Sequence, residues 1–130
     1  MSAIATVGIA GTGLIGAGWA ARLLIRGHDV IAYDPVAAAE PKLRAAIDTA
    51  WPSMERLIGH KPVRRGKLAF TTSLREMAAA DFIQEAAPER EDLKIRLFRE
   101  IGEAARADVV IASSSSGFLP SRLQLSLIHI

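Results

Sequence analysis

Gly11-Thr12-Gly13-Leu14-Ile15-Gly16 is the stretch whose residue types and spacing could do chemistry. The G-x-G-x-x-G pattern is weak evidence alone, but here a short apolar run precedes it and a helical pattern follows. That is the context in which such a turn cradles a diphosphate. Gly11 permits the tight turn. Gly13 lets the backbone come close to a pyrophosphate, and Gly16 lets the helix pack on the strand. The diphosphate then sits at the positive end of the helix, near backbone N–H groups that have no helical partner.

Asp34 stands at the end of the next apolar run, where an acid accepts hydrogen bonds from an adenosine ribose. A carboxylate there repels a 2′-phosphate, and Pro35 and Val36 offer no arginine to hold one. NAD is therefore expected over NADP. The plainer alternative is that Asp34 caps the turn before Pro35; its distance from the glycines favours the ribose role. Three other features are weaker. Ser113 to Ser116 form a serine run after an apolar strand pattern, which suits a ligand loop and a polar turn equally. Glu85 and Glu89 flank another strand end and read more readily as helix N-terminal acids than as ligand contacts. His28 and His60 fall in a turn and a loop, lack an acid–base partner nearby, and read as surface residues. Trp19 and Trp51 read as packed side chains, Trp19 as core rather than a cofactor contact.

These residues need a scaffold. Residues 3–10 read as a buried strand. Residues 14–26 read as a helix closed by Gly27, and 29–33 as a second strand, completing a βαβ unit. Pro41 suits the first turn of a helix running to Ile58, which Pro52 should kink or divide. Residues 68–71 form a third strand. Ser73 and Glu76 have capping-box spacing for a short helix to about Ala79. Residues 82–85 form a fourth strand, and Glu89, Glu91 and Asp92 start a helix reaching about Arg106. Leu93, Leu97 and Ile101 share one face of that helix, with Phe98 beside them. Residues 109–113 make a fifth strand. Strands alternating with helices predict an α/β, doubly wound parallel sheet.

Composition narrows the class. The chain has 130 residues, enough for one domain with a real core. Half the residues are apolar and 23% charged, with a net charge of +2, so disordered, collagenous and repeat classes are excluded. The tightest basic cluster, Arg64, Arg65 and Lys67, has no interleaved aromatics and reads as a solvated loop; no nucleic-acid partner is expected. Cysteine is absent, which removes disulfides and cysteine metal sites and suits a reducing cytoplasm. Residues 1–21 carry no charge, a span's length. Yet Gly8, Gly11, Gly13, Gly16 and Gly18 make a poor membrane helix, and no basic start marks a leader.

In order along the chain stand Gly11 to Gly16, Asp34, then Gln84-Glu85-Ala86-Ala87-Pro88-Glu89-Arg90-Glu91-Asp92-Leu93-Lys94, then Ala112-Ser113-Ser114-Ser115-Ser116-Gly117 with Pro120-Ser121. This set resembles the 3-hydroxyacyl-CoA dehydrogenase superfamily. Ala50-Trp51-Pro52 and the Gln-Glu-x-x-Pro-Glu-Arg form look more like its carnitine dehydrogenase branch than its acyl-CoA branch. The resemblance implies a Rossmann-type NAD-binding domain over residues 1–124 and oxidation of a secondary 3-hydroxy group on a small molecule. L-carnitine is the first candidate; a 3-hydroxyacyl-CoA or L-gulonate are alternatives. It implies cofactor contacts at Gly11, Gly13, Leu14, Ile15, Gly16 and Asp34, with Glu89 on the nicotinamide side and Lys94 on the ribose side. Ser116 matches the active-site serine that touches substrate and cofactor. The family's general-base His and its Glu partner have no match in these residues; His129 stands in a different context. The family's helical carboxy-terminal domain and its usual homodimer contacts are likewise unmatched. Residues 125–130 depart from the pattern and look like a non-native tail, so the expectation is a fragment that binds NAD without turnover.

Overall fold

The computed structural model describes residues 6–61, 64–87 and 90–113. Five strands and three α-helices alternate: β1 (Thr6–Ala10), α1 (Leu14–Ile25), β2 (Asp29–Tyr33), α2 (Ala39–Ile58), β3 (Leu68–Thr71), β4 (Phe82–Glu85), α3 (Glu91–Ala104) and β5 (Val110–Ser113). A 3-10 helix (Leu74–Ala79) joins β3 to β4. The sheet order is β3-β2-β1-β4-β5, and every pairing is parallel. The chain builds outward from β1 to β3, then returns to the other side of β1 for β4. That reversal opens a crevice beyond the carboxyl ends of β1 and β4. The expected doubly wound α/β fold is the fold observed.

Alternation along the strands divides the core into two layers. Val7 and Ile9 of β1 and Val30 and Ala32 of β2 pack with Ala17, Ala20, Ala21 and Leu24 of α1 and Leu43 and Ile47 of α2. The opposite faces of the same strands, with Ile83, meet Leu74 and Met77 of the 3-10 helix and Leu97 and Ile101 of α3. Burying one such aliphatic side chain contributes about 1.5–3 kcal/mol, so the sheet is held from both sides. Small residues on the inner face of α1 let that helix lie close to the strands.

Several local expectations are corrected. Trp19 is not core: it stays 37% exposed, because Gly16, Ala17, Ala20 and Ala21 define the buried face of α1 and Trp19 falls outside it. Pro52 neither divides nor ends α2. It lies on the solvent side, where water can satisfy the carbonyl it leaves unbonded, while Leu43, Ile47, Ala50, Trp51 and Met54 hold the helix to the core. Ser73 makes no side-chain cap; the segment winds as a 3-10 turn in which the Glu76 N–H donates to the Ser73 carbonyl at 3.2 Å. The last helix stops at Ala104, and Arg106 instead reaches Asp81 at 2.9 Å. His28 is half-buried and engaged in an interaction rather than free at the surface.

The basic cluster has a structural use. The Arg64 guanidinium lies 3.6 Å from Asp29 and donates to the Gly27 carbonyl at 3.2 Å. Arg65 sits 4.1 Å over the Trp51 ring and 3.9 Å from Asp48. Both tie the loop before β3 onto neighbouring elements, with the charged heads in water, where each contact adds little stability. No helix among the described residues is long and apolar enough to cross a membrane.

Candidate functional site

The glycine turn leaves β1 at the centre of the sheet's carboxyl edge. Gly11 has a φ of 112°, which favours glycine, and its N–H donates to the Tyr33 carbonyl at 2.8 Å. A Cβ there would meet the Ala86 carbonyl oxygen at 2.6 Å. At Gly16 a Cβ would collide with the Gly11 carbonyl oxygen, so α1 can approach the turn only without a side chain. Gly13 differs. It is the N-cap of α1, and a Cβ built on it would meet no described residue within 4 Å. Packing against the described residues therefore does not explain glycine at 13, and the open space over it leaves room for a diphosphate at the turn.

The start of α1 suits such a guest. Among the described residues no side chain caps it, and its first turn carries no acid, so its leading N–H groups and its dipole suit an anion. Leu14 is 90% exposed and Ile15 57%. These apolar side chains project from the mouth of the site.

Asp34 stands just past β2 with both carboxylate oxygens engaged. Oδ1 accepts the Val36 N–H at 3.0 Å, so the turn-capping role is real. Oδ2 accepts the Thr12 hydroxyl at 2.9 Å, which joins the carboxylate to the glycine turn. A carboxylate oxygen can accept more than one hydrogen bond, so capping leaves room for a diol. Asp34 also lines a cleft of about 480 Å³ with Gly11, Tyr33, Val36, Ala87 and, from α3, Leu93, Arg96, Leu97 and Glu100. This is a mostly apolar slot with charged groups at its rim, the kind of place that takes a flat aromatic ring. The Tyr33 phenol in its wall has a pKa pushed above the ordinary value of 10.0, first by burial and then by the negative charges of Glu100 and Asp34. Arg96 and Glu100 were not foreseen as site residues. On the helix alone they look like solvent-facing charges; only the placing of α3 beside the end of β2 makes them cleft residues.

On the other side of the crevice, Glu85 closes β4. It is wholly buried and is neither a helix-start acid nor a surface ligand. Its Oε1 accepts the Lys94 ammonium at 3.2 Å and the Ser113 hydroxyl at 2.6 Å, and its Oε2 accepts the Ala87 N–H at 2.5 Å. Lys94, expected on the ribose side, is also fully buried, with its ammonium on Glu85. Ser113, the first of the serine run, thereby locks the end of β5 to β4. Glu89 and Ser116, with Ser114, Ser115 and Gly117, lie outside the described residues, as do residues 125–130. The structure thus brings together Gly11, Gly13, Leu14, Ile15, Gly16 and Asp34, and sets Lys94 behind the crevice wall. A larger hollow of about 670 Å³ near Gly27, His60 and Arg64 lies at the end of α1 remote from the glycine turn, away from this chemistry.

The model of the 3-hydroxyacyl-CoA dehydrogenase NAD-binding domain matches residues 6–129. The chain belongs to that family. It is an NAD-binding domain, and its cofactor is NAD. Curated relatives include an L-carnitine dehydrogenase from a Pseudomonas species, 46% identical over 127 residues that make up 97% of this chain and 40% of the relative. The L-carnitine dehydrogenase of Burkholderia mallei is 46% identical over 119 residues, 91% of this chain and 37% of the relative. The chain thus spans about 40% of the length of the curated relatives it matches. Among solved structures, (S)-3-hydroxybutyryl-CoA dehydrogenase from Ralstonia eutropha superposes with a TM-score of 0.85 at 27% identity, covering 97% of this chain and 46% of that one. An NAD-dependent 5-formyl-3-hydroxy-2-methylpyridine 4-carboxylic acid 5-dehydrogenase gives 0.86 at 30% identity, covering 98% and 42%.

Proposed function

We propose that this domain serves an NAD-dependent dehydrogenase that oxidises a secondary 3-hydroxy group, with L-carnitine as the substrate and 3-dehydrocarnitine as the product. The observation that carries the cofactor half is the open space over Gly13 at an uncapped helix start, with Asp34 beside it. The substrate half rests on the likeness to L-carnitine dehydrogenases.

In this reading the N–H groups at the start of α1 hold the diphosphate, and Gly13 lets it come close. Asp34 accepts from the adenosine ribose hydroxyls and disfavours a 2′-phosphate. The adenine lies in the slot between Val36 and Leu93. Leu14 and Ile15 exclude water from the path toward the nicotinamide. Glu89 contacts the nicotinamide side, and Lys94 shapes the ribose side through the wall it builds with Glu85. Bound NAD would supply the hydride acceptor for the carbinol carbon, and the hydroxyl proton would pass to the general-base histidine of the complete protein. Ser116 donates a hydrogen bond to the reacting oxygen and so fixes it in place. The full-length protein acts on its small-molecule substrate as a homodimer.

The test is calorimetric titration of the chain with NAD and NADP, followed by NADH formation with L-carnitine, a 3-hydroxyacyl-CoA and L-gulonate. The expected results are NAD binding well ahead of NADP and, in the protein carrying a complete substrate domain, turnover of carnitine. Turnover of acyl-CoA or gulonate alone overturns the substrate. NAD binding without turnover of any of the three leaves a nucleotide-binding module.

A further inference from the structure

We propose that Thr12 is a positioning residue that sets the domain's preference for NAD by holding the Asp34 carboxylate in its ribose-accepting orientation. The inference rests on the reading of Asp34 as the ribose acceptor and goes one step deeper.

A carboxylate on a single rotatable stem can present its oxygens in many directions. Here Oδ1 is held by the Val36 N–H at 3.0 Å and Oδ2 by the Thr12 hydroxyl at 2.9 Å. The first bond comes from Asp34's own turn and would follow that turn wherever it moved. The second comes from the glycine turn, which the Gly11 N–H anchors to the Tyr33 carbonyl at 2.8 Å. Thr12 therefore fixes the carboxylate relative to the same turn that receives the diphosphate. The distance between diphosphate and adenosine ribose is set by the cofactor's own covalent structure. A carboxylate held to the turn is already at the right place when the ribose arrives, so none of the binding free energy goes into ordering it. Each oxygen keeps acceptor capacity for one hydroxyl of the diol. A 2′-phosphate gains nothing from this arrangement, because it meets the same negative charge whichever way the carboxylate turns.

The bond is also a hydroxyl donating to an ionised acceptor, stronger than a neutral one. Threonine is one of the variable positions of the glycine pattern, so the turn itself does not require it.

The experiment compares Thr12→Val, Thr12→Ser and Asp34→Ala in the 130-residue chain, by calorimetric titration with NAD and NADP and by thermal melting. Valine keeps the shape and removes the donor. Thr12→Val should weaken NAD about tenfold, or about 1.4 kcal/mol. It should leave NADP within about twofold, a change of roughly 0.4 kcal/mol, with little change in melting. Thr12→Ser, which keeps the donor, should restore NAD binding. Equal losses for NAD and NADP, or a fall in melting that serine does not correct, would make Thr12 a strap for the loop and overturn the proposal. An unchanged NAD affinity in Thr12→Val, while Asp34→Ala loses NAD selectively, overturns the proposal alone. If Asp34→Ala also leaves the two affinities in their parental ratio, the ribose reading fails and Thr12's role with it.

Discussion

Replacing Lys94 by Met removes a buried charge while keeping most of the side-chain volume. Glu85 would retain the Ser113 hydroxyl and the Ala87 N–H as donors but lose the ammonium that balances its charge. Both side chains of the pair are fully shielded from solvent, so water cannot replace the lost partner without opening the structure. Removing one member of such a pair costs about 3–5 kcal/mol. That is a large share of the roughly 5–15 kcal/mol that holds a typical domain folded. With a urea slope of about 2 kcal/mol/M, the midpoint should fall by about 2 M. Unfolding is read by circular dichroism and tryptophan fluorescence. Adding Glu85→Gln to Lys94→Met removes the orphaned charge and should recover most of the loss, since a neutral amide still accepts from Ser113. A loss below about 1 kcal/mol in the single variant, accompanied by weaker NAD binding, would refute this reasoning. Lys94 would then be a direct cofactor contact rather than a member of the wall. A double variant less stable than the single would refute it equally, because the penalty would not lie in the unpaired carboxylate.

The glycine turn offers a paired prediction. Gly13→Ala should melt close to the parent yet bind NAD at least about tenfold more weakly, since its Cβ meets no described residue and would fill space that a diphosphate at the turn would need, whereas Gly16→Ala should unfold the domain because its Cβ strikes the Gly11 carbonyl. NAD binding unchanged in a folded Gly13→Ala would remove the close-approach argument. Tyr33 is the chain's single tyrosine, so phenolate absorbance reports it alone, and its midpoint should lie above 10.0. Because the unfolded tyrosine releases its proton first, stability is intact below about pH 10 and falls as pH rises toward the folded-state value. Tyr33→Phe should flatten that part of the melting profile, and a phenolate midpoint at or below the ordinary value would contradict the burial argument.

The parts of this fold legible in the chain are those with local causes. Apolar runs bounded by Gly, Pro and Asp mark β2, β3 and β4 to the residue, and the strand–turn–helix context is what gives the glycine pattern its meaning. Trp19 is misplaced by periodicity because α1 is apolar on nearly every side, so the pattern does not say which face turns inward. Glu85 is misread for a different reason. Its partners Lys94 and Ser113 lie on α3 and β5, and nothing in its own neighbourhood announces a buried ion pair. Arg96 and Glu100 carry the pattern of an ordinary solvated helix face. They join the cleft only because the sheet order places α3 against the end of β2, a fact of topology rather than spacing.

Two polar devices bracket the crevice at the point where the sheet reverses direction, and their difference in burial follows from their tasks. The Glu85–Lys94 pair joins β4 to α3 and is sealed from water, while the exposed Ser113 ties the end of β5 to it. Sealing makes it stiff, since any displacement would leave a charge unpaired in a medium that cannot screen it. The Thr12–Asp34 bond joins the turn after β1 to the end of β2 and is only partly buried. In the proposed reading Asp34 meets a ligand that comes and goes, and a carboxylate sealed as Glu85 is would lie out of that ligand's reach. The wall carries Ala87, Leu93 and Leu97 on its cleft side, and the partly exposed clamp opposite contributes direction. Loosening the wall through Lys94 should therefore weaken NAD and NADP alike, whereas loosening the clamp through Thr12 should weaken NAD alone. The ratio of the two affinities, more than either one, tells which side of the crevice a substitution has disturbed.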